Sequence, residues 1–319
     1  MPDSSPTVLV LCGGLSPERD VSIRSGRRVA EALRGQGMAV TVSDVDAQLL
    51  GKLNDGPPDC VLPLLHGAAG EDGALADVLT TFGLPYVGSP PDATRIAFDK
   101  SVAKAALRRW ELATPGSVAL PHTMFRELGA NQLLERVVER LGLPLVVKPT
   151  RGGSSLGAAV VHDPSELPAA MVGAFAYGDV ALIEQCVVGT EVAVSIIDTE
   201  SGPIALPPVE IVPDGGFYDY NARYTAGLTE FFCPARISEP VSRAACDLAL
   251  EVHRRIGLRD YSRVDLMIDA SDRPTFLEVN MAPGMTETSL FPQALDAASR
   301  DLGTVFAALV RTAIARGSR

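Results

Sequence analysis

The chain has 319 residues, of which 46% are hydrophobic and 5% aromatic, and its formal net charge is −11. This length allows two or three domains with buried cores, and the acidic balance argues against nonspecific nucleic-acid binding. No apolar run reaches the roughly 20 residues of a membrane-spanning helix, and the N-terminal segment lacks the features of a signal peptide. The five cysteines are scattered without metal-ligand spacing, so we expect reduced thiols in a cytoplasmic protein.

The N-terminal part alternates short apolar runs with helical patterns, which is typical of an α/β domain with a parallel sheet. Residues 7–12 form a continuous apolar run that ends in two glycines, as expected of a buried strand that opens onto a ligand-facing loop. A helix is predicted from about Ile23 to Gln36, with Ser22 as its N-cap. Glu18 precedes this helix. Its ordinary role would be a charge that favours the helix dipole, and its functional role would be to hold a substrate ammonium group.

Two further strands are predicted at residues 38–45 and 60–66, and the second ends in His66. The loop that follows carries three glycines and two acids, Glu71 and Asp72. Because ligands of open parallel sheets bind at the carboxyl ends of the strands, the histidine and the acids are candidate site residues. The alternative is a loop whose glycines only make turns.

The organisation then changes to helices at residues 93–107 and 127–141 and a strand at 143–149 that ends in Lys148-Pro149. The strand leads into a glycine- and serine-rich loop, residues 150–157. Small residues let backbone N–H groups surround phosphate oxygens, although the loop lacks the GKS or GKT ending of a Walker A motif. We interpret it as a phosphate-binding loop, and a flexible hairpin turn is the alternative.

A strand that enters a turn is predicted at residues 181–191, where Glu184 and Glu191 flank a segment that could meet a purine edge. Exposed glutamates without a ligand are the alternative. From Pro207 a long polar connection carries aromatic residues among glycines and acids, which suggests either a lid over a site or an ordinary loop. Further helices are predicted at residues 238–256 and 302–315.

Near the C-terminal end, two alternating apolar runs flank a polar turn and predict a β-hairpin. With the hairpin centred just after Ser271, Asp265 lies opposite Glu278, and Arg263 lies opposite Asn280 in the same register. Directly opposed Cβ atoms are roughly 5 Å apart, so the two carboxylates would repel unless a charge neutralises them. A hard cation such as Mg²⁺, which prefers oxygen ligands, would do so. A solvated strand face with ordinary cross-strand pairs is the alternative.

The segment after the hairpin contains Pro283 and Gly284 and continues to Ser289 and Leu290. Glycine lets a ligand approach the backbone closely. The N–H of Gly284 could therefore stabilise a developing oxyanion.

Together these segments resemble the D-alanine–D-alanine ligase family of the ATP-grasp superfamily over nearly the whole chain. The resemblance depends on their order and spacing as well as on the motifs themselves. The matching motifs are GGLSPERDVS, HGAAGEDG, VGS, FDK, VVKPTRGGSSLG, LIEQ…GTEV, FYDYNARY, RVDLM and LEVNMAPGMTETSL.

The resemblance implies an ATP-grasp fold of mixed α/β and α+β class. An N-terminal doubly wound parallel-sheet domain would span residues 1–96, a central ATP-grasp subdomain 97–188, and a C-terminal catalytic domain 189–319. The implied activity is ATP-dependent joining of two D-alanines through an acyl phosphate, for peptidoglycan synthesis in the cytoplasm. ATP and two Mg²⁺ ions, or Mn²⁺, would be the cofactors. A homodimer is expected, with neither nucleic acid nor membrane as a partner.

The resemblance also implies roles for individual residues. The catalytic residues would be Glu18, Ser154, Tyr224, Arg263 and Gly284. The amino-acid substrates would contact His66, Ser289 and Leu290. ATP would contact Lys100, Lys148, Ser155, Glu184, Gln185, Val187, Glu191 and Arg223. The Mg²⁺ ligands would be Asp265, Glu278 and Asn280.

Three residues depart from the family pattern. Arg223 stands where a lysine is usual, Asn221 replaces an acid, and Met281 replaces a small polar residue. Arginine keeps the charge but offers a planar fork, and the methionine could narrow or dry the pocket of the second substrate. The alternative function is therefore a related ATP-grasp amino-acid ligase with another acceptor, in secondary metabolism or antibiotic self-resistance. A noncatalytic nucleotide-binding protein is a third hypothesis, against which the retained Asp265 and Glu278 argue.

Overall fold

The computed structural model describes residues 5–225 and 227–318, without the side chains of Ala69, Asn221 and Tyr224. Three sheets organise this part of the chain, one parallel and two antiparallel. No helix within these ranges is long and apolar enough to cross a membrane.

The first sheet is parallel, as predicted, and its strands lie in the order β2-β1-β3. Val8 and Val10 share a core cluster with the first helix, whereas Leu9 and Leu11 share another with the second and fourth helices. The continuous apolar run is therefore buried on both faces, as expected of a strand covered by helices on either side. Its elements are β1 (Thr7–Leu11), α1 (Arg19–Gly35), β2 (Ala39–Ser43), α2 (Leu49–Asp55), β3 (Cys60–Pro63), α3 (Ala68–Glu71) and α4 (Ala74–Thr81).

The start of α1 differs from the prediction, because the helix begins at Arg19 and Ser22 is not its N-cap. The Ser22 side chain is fully buried, accepts a hydrogen bond from Gly13 N (2.8 Å) and donates to Leu64 O (2.6 Å). Ser22 lies within the helix, and its hydroxyl group joins the loop after β1 to the loop after β3. Glu18 takes the position before the first helical residue.

The predicted single helix over residues 93–107 is wrong, since α5 (Pro91–Phe98) and α6 (Lys100–Arg109) are separate. Asp99 between them is extended, and its carboxylate accepts from Ser101 N (3.1 Å) and Val102 N (3.2 Å). An aspartate in this N-cap role starts a new helix.

The second sheet is antiparallel in the order β4-β7-β5-β6, and it has helices packed against it. The helical stretch predicted from Glu127 to Leu141 is two helices, because Gly129 takes a left-handed φ of 80° between them. The elements are β4 (Ser117–Pro121), α7 (His122–Leu128), α8 (Asn131–Leu141), β5 (Leu145–Pro149), β6 (Ala159–Val161), α9 (Leu167–Phe175) and β7 (Val180–Gln185).

The third sheet has the order β11-β10-β8-β12-β13, with β9 paired to the same edge of β8 as β10. The connection after Pro207, predicted to be irregular, contains the two strands β10 and β11. The strands are β8 (Gly189–Thr199), β9 (Gly202–Ala205), β10 (Val209–Pro213), β11 (Thr229–Phe232), β12 (Tyr261–Asp269) and β13 (Pro274–Asn280). The helices are α10 (Tyr220–Tyr224), α11 (Glu239–Ile256), α12 (Leu290–Ala297) and α13 (Leu302–Arg316).

The predicted hairpin register is confirmed where it matters for the site. Asp265 pairs with Glu278, and the Arg263–Asn280 pair adjoins it. A β-bulge follows Asp265 and shifts the register by one residue toward the turn, so the turn is centred on Ser271 itself. Such a bulge places two residues of one strand opposite one of the other, and it restores the predicted pairing.

The N-terminal and C-terminal parts of the chain are joined by a buried ion pair at Asp260. Its carboxylate accepts from Gly88 N (2.7 Å) and from both terminal nitrogens of Arg316 (2.8 and 2.9 Å). Close helix packing adds to this link, since a Cβ on Gly303 of α13 would lie 2.8 Å from Ala32 O of α1. These contacts hold the first sheet against the third.

We predict that Arg316→Ala lowers the free energy of unfolding by about 3 kcal/mol, because it leaves the Asp260 carboxylate buried without its main partner. Arg311→Ala on the exposed side of the same helix is the matched control and should change little. Urea unfolding of both variants measures the difference. Equal unfolding free energies would show that the pair contributes nothing.

Candidate functional site

Two adjoining cavities open where the three sheets meet. The larger, of about 510 Å³, lies between the second and third sheets, and the smaller, of about 170 Å³, lies between the third sheet and the loops of the first. Gly153, Tyr218 and Arg223 line both. A molecule in one cavity can therefore approach a molecule in the other.

The larger cavity combines an apolar wall with a charged end. Val146, Met267 and Leu277 are among the residues of the apolar wall. The predicted phosphate ligands Lys100 and Lys148 stand at the charged end. This combination suits a flat apolar ring system attached to phosphates.

Lys100 is tied to both sides of this charged end. Its Nζ donates to Gly152 O (2.7 Å) in the glycine-rich loop and lies 3.3 Å from a carboxylate oxygen of Glu278. Burial tends to raise the pKa of Glu278, but Lys100 and Lys148 outweigh it and hold that pKa below its usual value. Glu278 is therefore ionised at neutral pH.

The predicted base-binding segment lines the larger cavity, but the side chains of Glu184 and Gln185 bind groups of the protein itself. The Glu184 carboxylate is buried between Lys104 (2.9 Å) and Lys148 (2.6 Å). The Gln185 side chain donates to Leu141 O (2.9 Å), on the side of α8. Gln185 and Val187 border the cavity, so a base could meet their backbone, and their role stays a prediction.

Glu191, the predicted ribose contact, also borders this cavity. Burial, with further effect from Asp265 and Glu278, raises its pKa to about 7, although Arg223 acts in the opposite direction. Its carboxyl group is thus protonated in a substantial fraction of molecules at neutral pH and can then donate a hydrogen bond to a hydroxyl oxygen.

The glycine-rich loop lies across both cavities. Ser154 and Ser155 hold left-handed backbone conformations, with φ of 57° and 55°. Ser154 Oγ donates to Glu18 Oε1 (3.0 Å), and Ser155 Oγ donates to Tyr218 O (2.9 Å). Ser154 thus connects the loop to Glu18 in the smaller cavity, and Ser155 connects it to the segment that carries Tyr218.

Arg223 completes this closure from the lid segment. Its Nε donates to Ser155 Oγ (3.1 Å), and its guanidinium lies over the Tyr218 ring at 4.2 Å from the centroid. Arg223 is thus a cation at the boundary between the cavities, and the action of its segment as a lid stays a prediction. Tyr224 ends the same short helix, but its side chain lies outside the described residues, so its predicted role stays a prediction.

The smaller cavity gathers residues that were predicted to be catalytic or to contact the amino-acid substrates. They come from five segments of the chain, and all of them border this space. They are Glu18, His66, Ser154, Arg263, Gly284, Ser289 and Leu290.

His66 offers a neutral acceptor to this cavity. Its Nδ1 faces Ala282 O at 3.0 Å and so carries the proton. Its Nε2 is buried and has no hydrogen-bond partner among the residues that the structure describes. Burial lowers the pKa of His66. Since the ring is uncharged, Nε2 can accept a hydrogen bond from a substrate N–H.

The opposite wall is the start of α12, a helix that the sequence analysis did not predict. Ser289 is extended just before it, and its Oγ lies 3.0 Å from Thr286 N and 2.8 Å from Thr286 Oγ1. A Cβ on Gly284 would come within 2.9 Å of Ser289 Oγ, so a larger residue there would displace this hydroxyl group. The first N–H groups of a helix suit a carboxylate.

A buried polar chain runs beneath the smaller cavity. Arg263 donates from Nε and Nη2 to the two oxygens of Asp265 (2.7 and 2.8 Å). The Asn280 amide lies between Arg263 Nη2 and Glu71 Oε1. With its oxygen toward Arg263 (2.8 Å) and its nitrogen toward Glu71 (2.9 Å), the amide pairs with both groups. Burial raises the pKa of Glu71 to about 8. The sequence analysis named Glu71 as a candidate only because it is an acid in the loop after a predicted strand. It gave Glu71 no specific role.

Asp265, Glu278 and Asn280 supply the oxygen donors that Mg²⁺ prefers. Both carboxylates border the larger cavity, and Glu278 and Asn280 border a small separate space that Lys100 also lines. Within residues 5–225 and 227–318 no three His, Cys, Asp or Glu side chains form a metal cluster by themselves. The donor set is therefore two carboxylates and an amide beside the lysines of the larger cavity, which fits magnesium bound together with a nucleotide.

Met281 does not stand where the sequence analysis expected it to act. It is 5% exposed, packs in the core under the third sheet, and borders two small spaces but not the 170 Å³ cavity. The expectation that it narrows the pocket of a second substrate is therefore not supported.

Comparisons with known proteins cover most of the chain, and the family model, the relatives and the solved structures all point to one family. A family model described as D-ala D-ala ligase C-terminus matches residues 111–315. The D-alanine–D-alanine ligase of Anaeromyxobacter dehalogenans is 41% identical over 90% of both chains, and that of Pelotomaculum thermopropionicum 37% identical over 96% of both. The Bacillus anthracis D-alanine–D-alanine ligase superimposes with a TM-score of 0.82 at 28% identity over 98% of both chains, and its complex with ATP gives 0.81.

We predict that ADP slows the alkylation of Cys186, which borders the larger cavity, because a bound nucleotide covers its thiol. Burial raises the pKa of this thiol, so labelling requires mildly alkaline buffer. Cys246, half-buried and outside both cavities, is the internal control. Mass spectrometry of the labelled peptides measures both rates. Equal slowing at both cysteines, or at neither, would place the nucleotide elsewhere.

Proposed function

Because the chain belongs to the D-alanine–D-alanine ligase family, we propose that it joins two D-alanine molecules in a reaction driven by ATP. The observation that carries this proposal is the pair of adjoining cavities. One suits a nucleotide, the other suits amino acids, and Gly153, Tyr218 and Arg223 border both. Such an arrangement brings a phosphoryl group and a carboxylate within reach of each other.

In the first step a carboxylate oxygen of one D-alanine attacks the γ-phosphorus of ATP. The bond from that phosphorus to the bridging oxygen breaks, which releases ADP and leaves an acyl phosphate. Glu18 would hold the substrate ammonium group, and His66 Nε2 would accept one of its N–H hydrogen bonds. Lys100 and Lys148 would stabilise the negative charge on the phosphate oxygens.

In the second step the amine of another D-alanine attacks the acyl carbon. A tetrahedral intermediate forms, loses a proton from nitrogen and expels phosphate as the amide is made. Arg263 and the N–H of Gly284 would stabilise the oxyanion, because preorganised donors act there without further reorganisation. Ser289 and the N–H of Leu290, at the start of α12, would hold the carboxylate of this second substrate.

We propose that Asp265, Glu278 and Asn280 hold magnesium, as two ions, with manganese as a substitute. When bound, the metal neutralises phosphate charge and activates the phosphoryl group. Asp265 and Glu278 would also keep the metal close to Lys100.

Several finer statements remain predictions. They include the division at residues 96 and 188 into three domains, a homodimeric assembly, and action in the cytoplasm, where ATP is available, during peptidoglycan synthesis. Each is an expectation from the family, and none is needed for the chemistry above.

The direct test is to incubate purified protein with ATP, Mg²⁺ and D-alanine. We expect release of phosphate together with a dipeptide of D-alanine, measured by a phosphate assay and by mass spectrometry. L-alanine is the matched control and should release little phosphate. If D-alanine yields no phosphate and no dipeptide, the proposal is wrong.

Arg223 favours one alternative, a ligase with another acceptor. It is the cation at the boundary of both cavities, where the family usually has lysine, and it packs on Tyr218. The same assay run with D-serine, D-lactate and other D-amino acids as acceptors separates the two functions. A noncatalytic protein would bind nucleotide and release phosphate with none of them.

We predict that Glu278→Gln lowers turnover by at least about 100-fold while the protein stays folded, because it removes a metal-binding charge opposite Asp265. Asp272→Asn, in the turn of the same hairpin, is the control; its left-handed φ of 58° suits asparagine. Turnover at saturating Mg²⁺ and thermal unfolding are the measurements. Near-normal turnover of Glu278→Gln would contradict the metal assignment.

A further inference from the structure

Arg24 is an arginine of α1 that borders the smaller cavity and that the proposed reaction does not use. Its side chain is 59% exposed, and its Nη2 lies 3.5 Å from Oε2 of Glu287, whose side chain is 71% exposed. An exposed ion pair of this length contributes little free energy. A ligand anion that enters the cavity can therefore replace Glu287 as the partner of the guanidinium.

The face of α1 that carries Arg24 lies along the segment before α12. Val21, one turn earlier in the helix, has its Cγ1 3.7 Å from the place of a Cβ on Gly284. Arg28, one turn later, donates from Nη1 to Thr286 O (2.8 Å). Residues three and four positions apart share one face of a helix. Arg24 therefore lies between two points at which α1 meets the wall assigned to the second substrate.

Two other arginines border the smaller cavity, and the protein itself holds each of them. Arg263 forms two hydrogen bonds with Asp265, and Arg223 donates to Ser155 Oγ. Arg24 differs from both because most of its side chain faces solvent. A cation at the mouth of a cavity raises the local concentration of anions there.

Resting on the proposed function, we propose that Arg24 is a specificity-determining residue that selects acceptors with a carboxylate. The carboxylate of the second substrate would displace Glu287 and pair with the Arg24 guanidinium. Ser289 and the N–H of Leu290 would hold the same carboxylate from the side of α12. These two groups are neutral, so Arg24 supplies the full positive charge on this wall.

The variant Arg24→Met tests this role, because it keeps an unbranched apolar side chain and removes the charge. We expect the KM for the acceptor D-alanine to rise about 10-fold. The kcat should change less than about 2-fold, since the lost contact holds the acceptor equally before and during the reaction. Arg24→Lys keeps the charge and should restore most of the affinity. Initial rates against D-alanine at saturating ATP and Mg²⁺ give both constants.

Hydroxylamine separates the acceptor from the donor D-alanine. Its nitrogen attacks the acyl carbon, loses a proton and expels phosphate, which gives D-alanyl hydroxamate. Because hydroxylamine has no carboxylate, we expect the same rate of hydroxamate formation in Arg24→Met and in the unmodified protein. An equal loss with hydroxylamine and with D-alanine would mean that Arg24 acts on the donor or on the fold, and it would overturn the proposal.

A double-mutant cycle tests the competition between Glu287 and the acceptor. Glu287→Gln alone should lower the KM for the acceptor about 2-fold, because it releases Arg24 from a weak pair. In the Arg24→Met background the same change should have no effect. Added salt should raise this KM in the unmodified protein more than in Arg24→Met, since salt screens exposed charges. Equal effects of Glu287→Gln in both backgrounds would contradict the proposal.

Arg27→Met is the matched control. Arg27 is exposed on the same helix and borders neither cavity, so this variant should keep the KM of the unmodified protein. An unchanged KM in Arg24→Met, with dipeptide still formed, would overturn this proposal alone. If D-alanine yields neither dipeptide nor hydroxamate, the proposed function fails and this proposal fails with it.

Discussion

The bidentate ion pair between Arg263 and Asp265 is the interaction on which the site depends. Both residues lie on β12, two positions apart, and both are buried. Breaking such a pair leaves an uncompensated buried charge, which costs several kcal/mol. The pair therefore fixes the guanidinium and the carboxylate relative to each other before any ligand arrives.

This rigid centre serves both cavities. Arg263 borders the smaller one and Asp265 the larger, so one ion pair spans the boundary between them. Asn280 extends it across the hairpin, and Glu71 extends it to the loop of the first sheet. Because these groups are hydrogen-bonded and buried, they require little reorganisation when charge develops nearby.

The glycine-rich loop and the lid segment form the opposite side, and they are held by weaker contacts. Ser154 reaches Glu18 and Ser155 reaches the Tyr218 backbone, each through a single hydroxyl group. Single hydrogen bonds of this kind contribute roughly 1 kcal/mol. The site thus combines a floor of buried ion pairs on the third sheet with a cover that is held in part by single hydroxyl contacts.

The sequence alone determined the class of the first sheet, the hairpin and its register at Asp265, because these follow from local periodicity and side-chain alternation. It also indicated most of the site residues, since the motifs stand at the ends of predicted strands. The break at Asp99 and the helix start at Arg19 escaped it, because a cap or a buried serine competes with a periodic pattern.

Only the tertiary structure decided which groups meet. Glu71 and Asn280 are more than 200 residues apart, and nothing local to either indicates their hydrogen bond. The contact of the Gln185 side chain with Leu141 O could not be foreseen either, and Met281 lies in the core instead of the smaller cavity. Local patterns show which face of an element is buried. What that face contacts depends on how the three sheets pack together.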